Sequence, residues 1–373
     1  MKLMEVSLKS AAYLQRTSAC WKGPAYRGRK DLLRRFTPTP YGVDLLIMAK
    51  TVRLESNSLA VIENAREFFA RHEGQPRRAP ELLWRIVSQE HGPRMNQAGV
   101  ALSAFSDRGL RFANIGHRSF LAVDLDAGEG IGFVDESLVE PEPKLNCRPV
   151  FDTLFCMSAG SLGMVPLSAA CVGLGEKGIL IFGPPNSGKT TTSYLAARLG
   201  LEFHADQAVF LDAETGELRA WGDLLPAIFR TESLQFLPEL RASTRRFSYP
   251  GLTVHYLPKH PFQATKAHPV APMCSVFLNP VSTSEPHLAP IVPAERFCRF
   301  TEYLLFKDDE RFQQQTSTIL RFLGQLPAYE LTYAGDPAIA AQRVAQMLMV
   351  QDIGRNRPSG PESRTTIATR ESK

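Results

Sequence analysis

Residues 178–212, GILIFGPPNSGKTTTSYLAARLGLEFHADQAVFLD, constrain this chain more than any other stretch. Their centre, Gly183-Pro184-Pro185-Asn186-Ser187-Gly188-Lys189-Thr190, fits G-x-x-x-x-G-K-[ST], the pattern of a phosphate-binding loop. The pattern has meaning in one context, with a strand before it and a helix after it. Gly178–Phe182 supplies a short apolar run that suits a buried parallel strand. Tyr194, Leu195, Ala197 and Leu199 suit a helix through Thr191–Leu199, and Gly200 offers its stop.

The chemistry follows from the residue types. Gly183 and Gly188 let the backbone turn where a Cβ would clash, so that successive N–H groups can point inward. The positive end of the following helix faces the same anion. Lys189 would bring a point charge to the β- and γ-phosphates of ATP, and the Thr190 hydroxyl can ligate Mg²⁺. Pro184 and Pro185 stiffen the loop but carry no N–H, so the cradle should lean on Asn186, Ser187, Gly188, Lys189, Thr190 and Thr191. Immediately beyond, Leu201–Leu211 reads as one apolar strand whose most telling carboxylate is Asp206, 17 residues after Lys189.

A glycine loop ending in G-K-[ST], one helix and an acidic strand end, in that order, resemble the HPr Ser kinase/phosphorylase group and its relatives. Those proteins share their nucleotide core with phosphoenolpyruvate carboxykinase. Ala205-Asp206-Gln207 is similar to their Ala-Asp-Asp strand end with the second acid replaced. Residues 166–172, PLSAACV, resemble the Leu-His-Ala-Ala-Ala-Val strand before the loop, with Ser168 where the family often has His. Weaker likeness continues through 221–230, 273–278 and 327–333; the resemblance spans roughly 45–350 and is specific over 166–212.

The resemblance implies an α/β fold, with a P-loop core on a mixed sheet and a smaller N-terminal α+β lobe. It implies transfer of the γ-phosphoryl group of ATP, with Mg²⁺, to a Ser or Thr hydroxyl of a protein or peptide. A small-molecule hydroxyl fits equally well. Lys189 and Asp206 would be the catalytic pair, Asp206 serving as base or metal-linked carboxylate, and Thr190 and Asp206 would hold the metal. Homo-oligomers are a further implication. Two departures matter: Gln207 cannot ionise, and no Arg-Gly-rich segment follows the acidic strand. Both argue against HPr as the substrate and against the reverse phosphorolysis. They keep open a second reading, a catalytically inactive nucleotide-binding regulator or assembly protein.

The rest of the chain frames this core. Its net charge of +5 sits in the first 35 residues and the last 20, so the ends are basic and the body slightly acidic, with no specific nucleic-acid signal. Without an 18-residue apolar run a membrane span is not expected, and the composition suits a cytoplasmic globular protein. The six cysteines form no C-x-x-C pair, and Cys171 reads as a small buried hydrophobe. The eight histidines lack metal-site spacings, so no structural zinc is predicted. His204 would share a strand face with Asp206, either as a hydrogen-bond partner or as an ordinary polar strand-end residue.

Four segments are expected: a basic, flexible extension over 1–42, a small α+β lobe over 43–140, a kinase-like core over 150–353 and a disordered tail over 354–373. A proline-rich linker over 140–149 separates the lobes. Within the small lobe Tyr41–Glu55 reads as a strand, Leu59–Arg71 as a helix, Pro80–Gln89 as a short helix and Gly99–Val134 as strands. Ser56-Asn57-Ser58 reads as a capping turn, and Asp124 with Asp126 as a solvated edge on one strand face. In the core, Val150–Ser161 reads as a helix, residues 212–217 as a turn, Gly251–Pro272 as a long irregular segment, Glu295–Leu326 as helices and Ala338–Met349 as a last helix. Arg230, Arg241, Arg245 and Arg246 are candidates for stabilising transferred charge.

Overall fold

Alternation of inward and outward side chains builds the first sheet. In the computed structural model the described residues are 37–72, 74, 79–89, 102–107, 109–116, 118–139, 147–222, 227–249, 252–257, 261–262, 267–281, 285–306 and 312–355. Seven strands, β1 (Tyr41–Ile47), β2 (Lys50–Ser56), β3 (Leu82–Gln89), β4 (Leu102–Asp107), β5 (Leu110–Ile115), β6 (Ser119–Asp124) and β7 (Glu129–Asp135), pair in the order β1-β2-β3-β7-β6-β5-β4. β3 runs parallel to both β2 and β7; the other pairs are antiparallel. Helices α1 (Leu59–Phe68) and α2 (Arg148–Ser158) cover one face. Val52, Leu54, Trp84 and Ile86 meet Phe151, Leu154 and Phe155 in one core, and the Trp84 indole N–H donates to Ser158 Oγ at 3.1 Å.

Four expectations in this region are corrected. Residues 41–55 form a hairpin, not one strand: Met48 and Ala49 turn with φ of 50° and 64°, and Ile47 faces Lys50. Positive φ at both central positions is the hairpin geometry that usually selects Asn-Gly. Here tertiary contact imposes it, since Met48 is buried and its N–H donates to His72 Nδ1 at 3.2 Å. Residues 80–89 are β3, not a helix: Leu82, Trp84 and Ile86 all point into the core, a period of two. Asp126 lies beyond β6, and Asp124 Oδ1 accepts from the N–H groups of Asp126 and Ala127, so the pair makes a turn and not a strand face. The Ser58 side chain makes no cap bond; Ser56 Oγ instead accepts the Ser58 N–H and donates to the Ile86 carbonyl.

The second sheet carries the loop. Its six strands, β9 (Ala170–Leu174), β10 (Lys177–Phe182), β11 (Glu202–Ala205), β17 (Ala271–Val281), β18 (His287–Pro290) and β19 (Ala328–Ala334), lie in the order β11-β9-β10-β17-β19-β18. The central β10, β17 and β19 are parallel, and the edges antiparallel. Alternate β10 residues feed two layers. Ile179 and Ile181 pack toward α3 (Lys189–Arg198) and α6 (Pro337–Arg355). Leu180 and Phe182 pack toward α4 (Pro293–Thr301) and α5 (Gln313–Gln325). Two small sheets complete the fold: β8 (Val165–Leu167), β12 (Val209–Asp212) and β13 (Arg219–Trp221), and β14 (Ile228–Arg230), β15 (Arg245–Tyr249) and β16 (Leu252–Tyr256).

Residues 201–211 are therefore two strands, not one: β11 pairs with β9, whereas β12 pairs with β8 and β13, and Asp206 sits where the chain changes sheet. β16 gives strand structure to part of Gly251–Pro272, which the sequence leaves irregular, and pairs with β14. α2 belongs to the first core yet reaches β12, with Phe155 and Phe210 ring centroids 4.9 Å apart. The turn between β12 and β13 is where it was expected. Of the expected basic extension over 1–42, residues 1–36 lie outside the described residues, as do most of the linker (140–146) and the tail from 356, whereas Tyr41 already opens β1. Residues Thr39–Lys373 cluster as one unit. Among the described residues no helix is long and apolar enough to cross a membrane.

Candidate functional site

β10 ends at Phe182, and the chain turns at once. Gly183 has φ of 155°, and a Cβ there would collide with Ser187 Oγ. Asn186 adopts φ of 70°, in the left-handed region that asparagine tolerates better than most residues. Gly188 follows at φ of 85°, and α3 begins with Thr192 N–H donating to the Gly188 carbonyl at 2.8 Å. The loop is pinned from two sides. Ser187 N–H donates to the Pro184 carbonyl at 3.1 Å, and Tyr333 Oη of β19 donates to the Ser187 carbonyl at 2.8 Å. Burial pushes the Tyr333 phenol up to about 12, so it stays a protonated donor.

The Lys189 side chain folds back over this loop. Its Nζ donates to the Gly183 carbonyl at 2.7 Å and to the Pro184 carbonyl at 3.1 Å. Burial lowers its pKa, and the Asp206 carboxylate opposes that shift. Asp206 is 1% exposed, and its Oδ2 accepts the Ile228 N–H at 3.1 Å. The residue is held between the end of β11 and the start of β14, and the Ile228 N–H orients its carboxylate.

A cavity of about 830 Å³ lies over these groups. Pro185, Asn186, Ser187, Gly188, Lys189, Thr190 and Thr191 border it, as do Asp206 and Gln207. Gly183 and Pro184 do not line it; they shape the turn beneath and supply the carbonyls that Lys189 holds. Of the candidate arginines, Arg230 lines the cavity, whereas Arg241 and Arg246 are exposed outside it. Thr190 and Asp206 offer hydroxyl and carboxylate oxygens to one space, the hard donor set that suits Mg²⁺.

Sequence reasoning missed part of the wall. Asp152 and Cys156 of α2 border the cavity with Leu305, and Tyr333 closes its floor. None belongs to a motif; only the tertiary fold brings them there. His204, in contrast, lies away from it. The bulge between Phe203 and Ala205 against β9 turns the ring toward Gly173, Glu202 and His268. Burial, then His268 and Arg71, lowers its pKa to about 3. Cys171 is buried and its thiol is pushed up to about 12 by burial, as a small core hydrophobe should be.

No protein-family model matches the chain, and no curated protein matches it. Among solved structures, the HPr(Ser) kinase/phosphatase from Coxiella burnetii is similar with a TM-score of 0.28 and 11% identity, over 51% of this chain and 93% of that one.

Proposed function

We propose that this chain binds ATP on the 183–191 loop and transfers its γ-phosphoryl group to a hydroxyl of a protein, peptide or small molecule. The observation that supports this reading most is that Lys189 and Asp206, read as partners from the sequence, border one cavity under a loop with the required backbone turns. Lys189 exchanges two neutral carbonyl acceptors for anionic phosphate oxygens, a stronger class of hydrogen bond. The N–H groups of Asn186 and of residues 188–191 at the start of α3 would complete the cradle, the Ser187 N–H being held by the Pro184 carbonyl. Thr190 and Asp206 would hold Mg²⁺, which supplies charge neutralisation on the phosphates when bound.

Asp206 accepts the proton of the acceptor hydroxyl. The hydroxyl oxygen then bonds to the γ-phosphorus, the bond to the bridging β–γ oxygen breaks, and ADP departs with that electron pair. Arg230, on the same wall, steadies the charge of the transferred group. The test is incubation of the purified chain with γ-labelled ATP, Mg²⁺ and lysate from its own source. Label should pass to an acceptor with the native chain and be lost in Asp206→Asn while ATP still binds.

Gln207 supports a second reading. It lines the cavity where the resembling family has a second acid, and it brings no charge. A nucleotide-binding regulator would bind ATP in the same assay with neither label transfer nor hydrolysis.

A further inference from the structure

On the far end of β11 from Asp206, three side chains converge that the nucleotide reading does not use. Glu202 and His204 stand two residues apart on this edge strand, and the bulge at His204 lets their side chains meet. His268 arrives from the segment that leads into β17. Glu202 Oε2 lies 3.6 Å from His204 Nε2 and 3.3 Å from His268 Nε2, and all three ligand atoms lie within 4.8 Å of one another. The two imidazole rings meet edge-on, with centroids 5.0 Å apart and planes at 84°.

We propose that Glu202, His204 and His268 form a three-ligand site for a zinc-class transition metal, with the fourth position left to water. The spacing fits the chemistry. Imidazole nitrogen and carboxylate oxygen bind zinc at about 2.0–2.2 Å, and atoms at that radius on a tetrahedron are about 3.3 Å apart. Two of the three separations are already close to that value. Two histidines and one glutamate are also a ligand set that zinc accepts with one position open.

Burial strengthens the argument. His204 is 5% exposed, and among the described residues neither its Nε2 nor Glu202 Oε2 has a hydrogen-bond partner, although both atoms are shielded from water. Each is a buried polar atom without such a partner, which is costly. A cation between them removes both problems. Arg71 is close enough to act electrostatically on His204. Gly173 leaves room for the His204 ring, because a Cβ there would sit 2.7 Å from Nε2.

The consequence is local. β11 is four residues long and lies at the sheet edge, and Asp206 follows it directly. A metal joining Glu202 and His204 to His268 ties that strand to the entry of β17, the central strand beside β10. The site stands without the nucleotide reading and is tested apart from it. The full-length chain is purified from zinc-supplemented cells and its metal content measured; the chain stripped with chelator is then titrated with Co²⁺ and followed by its visible ligand-field bands. About one equivalent of zinc and tetrahedral Co²⁺ bands are expected. His268→Ala and Glu202→Gln should each weaken Co²⁺ binding by more than about tenfold, the scale on which even outer-shell changes act. Both positions are partly exposed, at 39% and 41%, so the variants retain the core. Sub-stoichiometric metal, or metal that washes from the native chain as readily as from His268→Ala, overturns the proposal.

Discussion

Tyr333 Oη donates to the Ser187 carbonyl at 2.8 Å, a buried bond between residues 146 positions apart. It fastens the glycine loop to β19, two strands from the strand that feeds the loop. Tyr333→Phe keeps the ring and deletes the donor. A buried carbonyl left without its donor costs about 1–3 kcal/mol. The urea midpoint should fall accordingly, and ATP affinity, read by calorimetry, should fall with it. Unchanged affinity would mean the loop holds its shape alone.

Gly188 tests the same contact from the other side. Its φ of 85° disfavours any Cβ, and one placed there would lie 3.0 Å from Tyr333 Oη. Gly188→Ala should destabilise the chain by about 1 kcal/mol or more and abolish measurable ATP binding. Thermal melting and nucleotide titration report the two effects separately.

Lys189→Ala removes the amine that bridges the Gly183 and Pro184 carbonyls. Charge-assisted bonds contribute about 1.5–3 kcal/mol each, offset in part by the desolvation of the half-buried amine, so the melting temperature should fall modestly while ATP binds at least about tenfold more weakly. A variant that binds ATP as the native chain does would remove Lys189 from the phosphate cradle.

His72 gives a pH signature unrelated to catalysis. Burial, then Arg71, lowers its pKa from 6.5 to about 3, and its Nδ1 accepts the Met48 N–H. In the unfolded chain the ring takes a proton near pH 6.5, whereas in the folded chain it stays neutral until far lower. The unfolded state thus binds more protons throughout that window. Stability is full above the unfolded value and declines as pH falls from 6.5 toward 3. Urea midpoints at pH 7 and pH 5 should differ in that direction, and the His72 ring resonances should not titrate across the same interval.

Much of the loop was legible because its constraints are local. Gly183 and Gly188 need unusual φ, and the strand before them and the helix after them announce themselves in adjacent residues. Pro80 misled, since a proline at a helix start outweighed the alternation of Leu82, Trp84 and Ile86 that marks a central strand. Residues 201–211 looked continuous because both halves are apolar; the break at Asp206 comes from pairing with different sheets, which no local pattern encodes. Tyr333, Asp152 and the meeting of His204 with His268 were hidden for the same reason: topology, not spacing, brings them together.

One helix serves two masters. α2 buries Phe151, Leu154 and Phe155 under the first sheet while Asp152 and Cys156 look into the cavity. Trp84 leans on Phe155 with ring centroids 6.3 Å apart and donates its indole N–H to Ser158 at the end of the same helix. Anything that crowds the cavity and nudges α2 also changes the surroundings of a buried indole. With Trp84 kept as the single tryptophan of the three, its emission should therefore act as an optical gauge, shifting when the cavity beside α2 is filled.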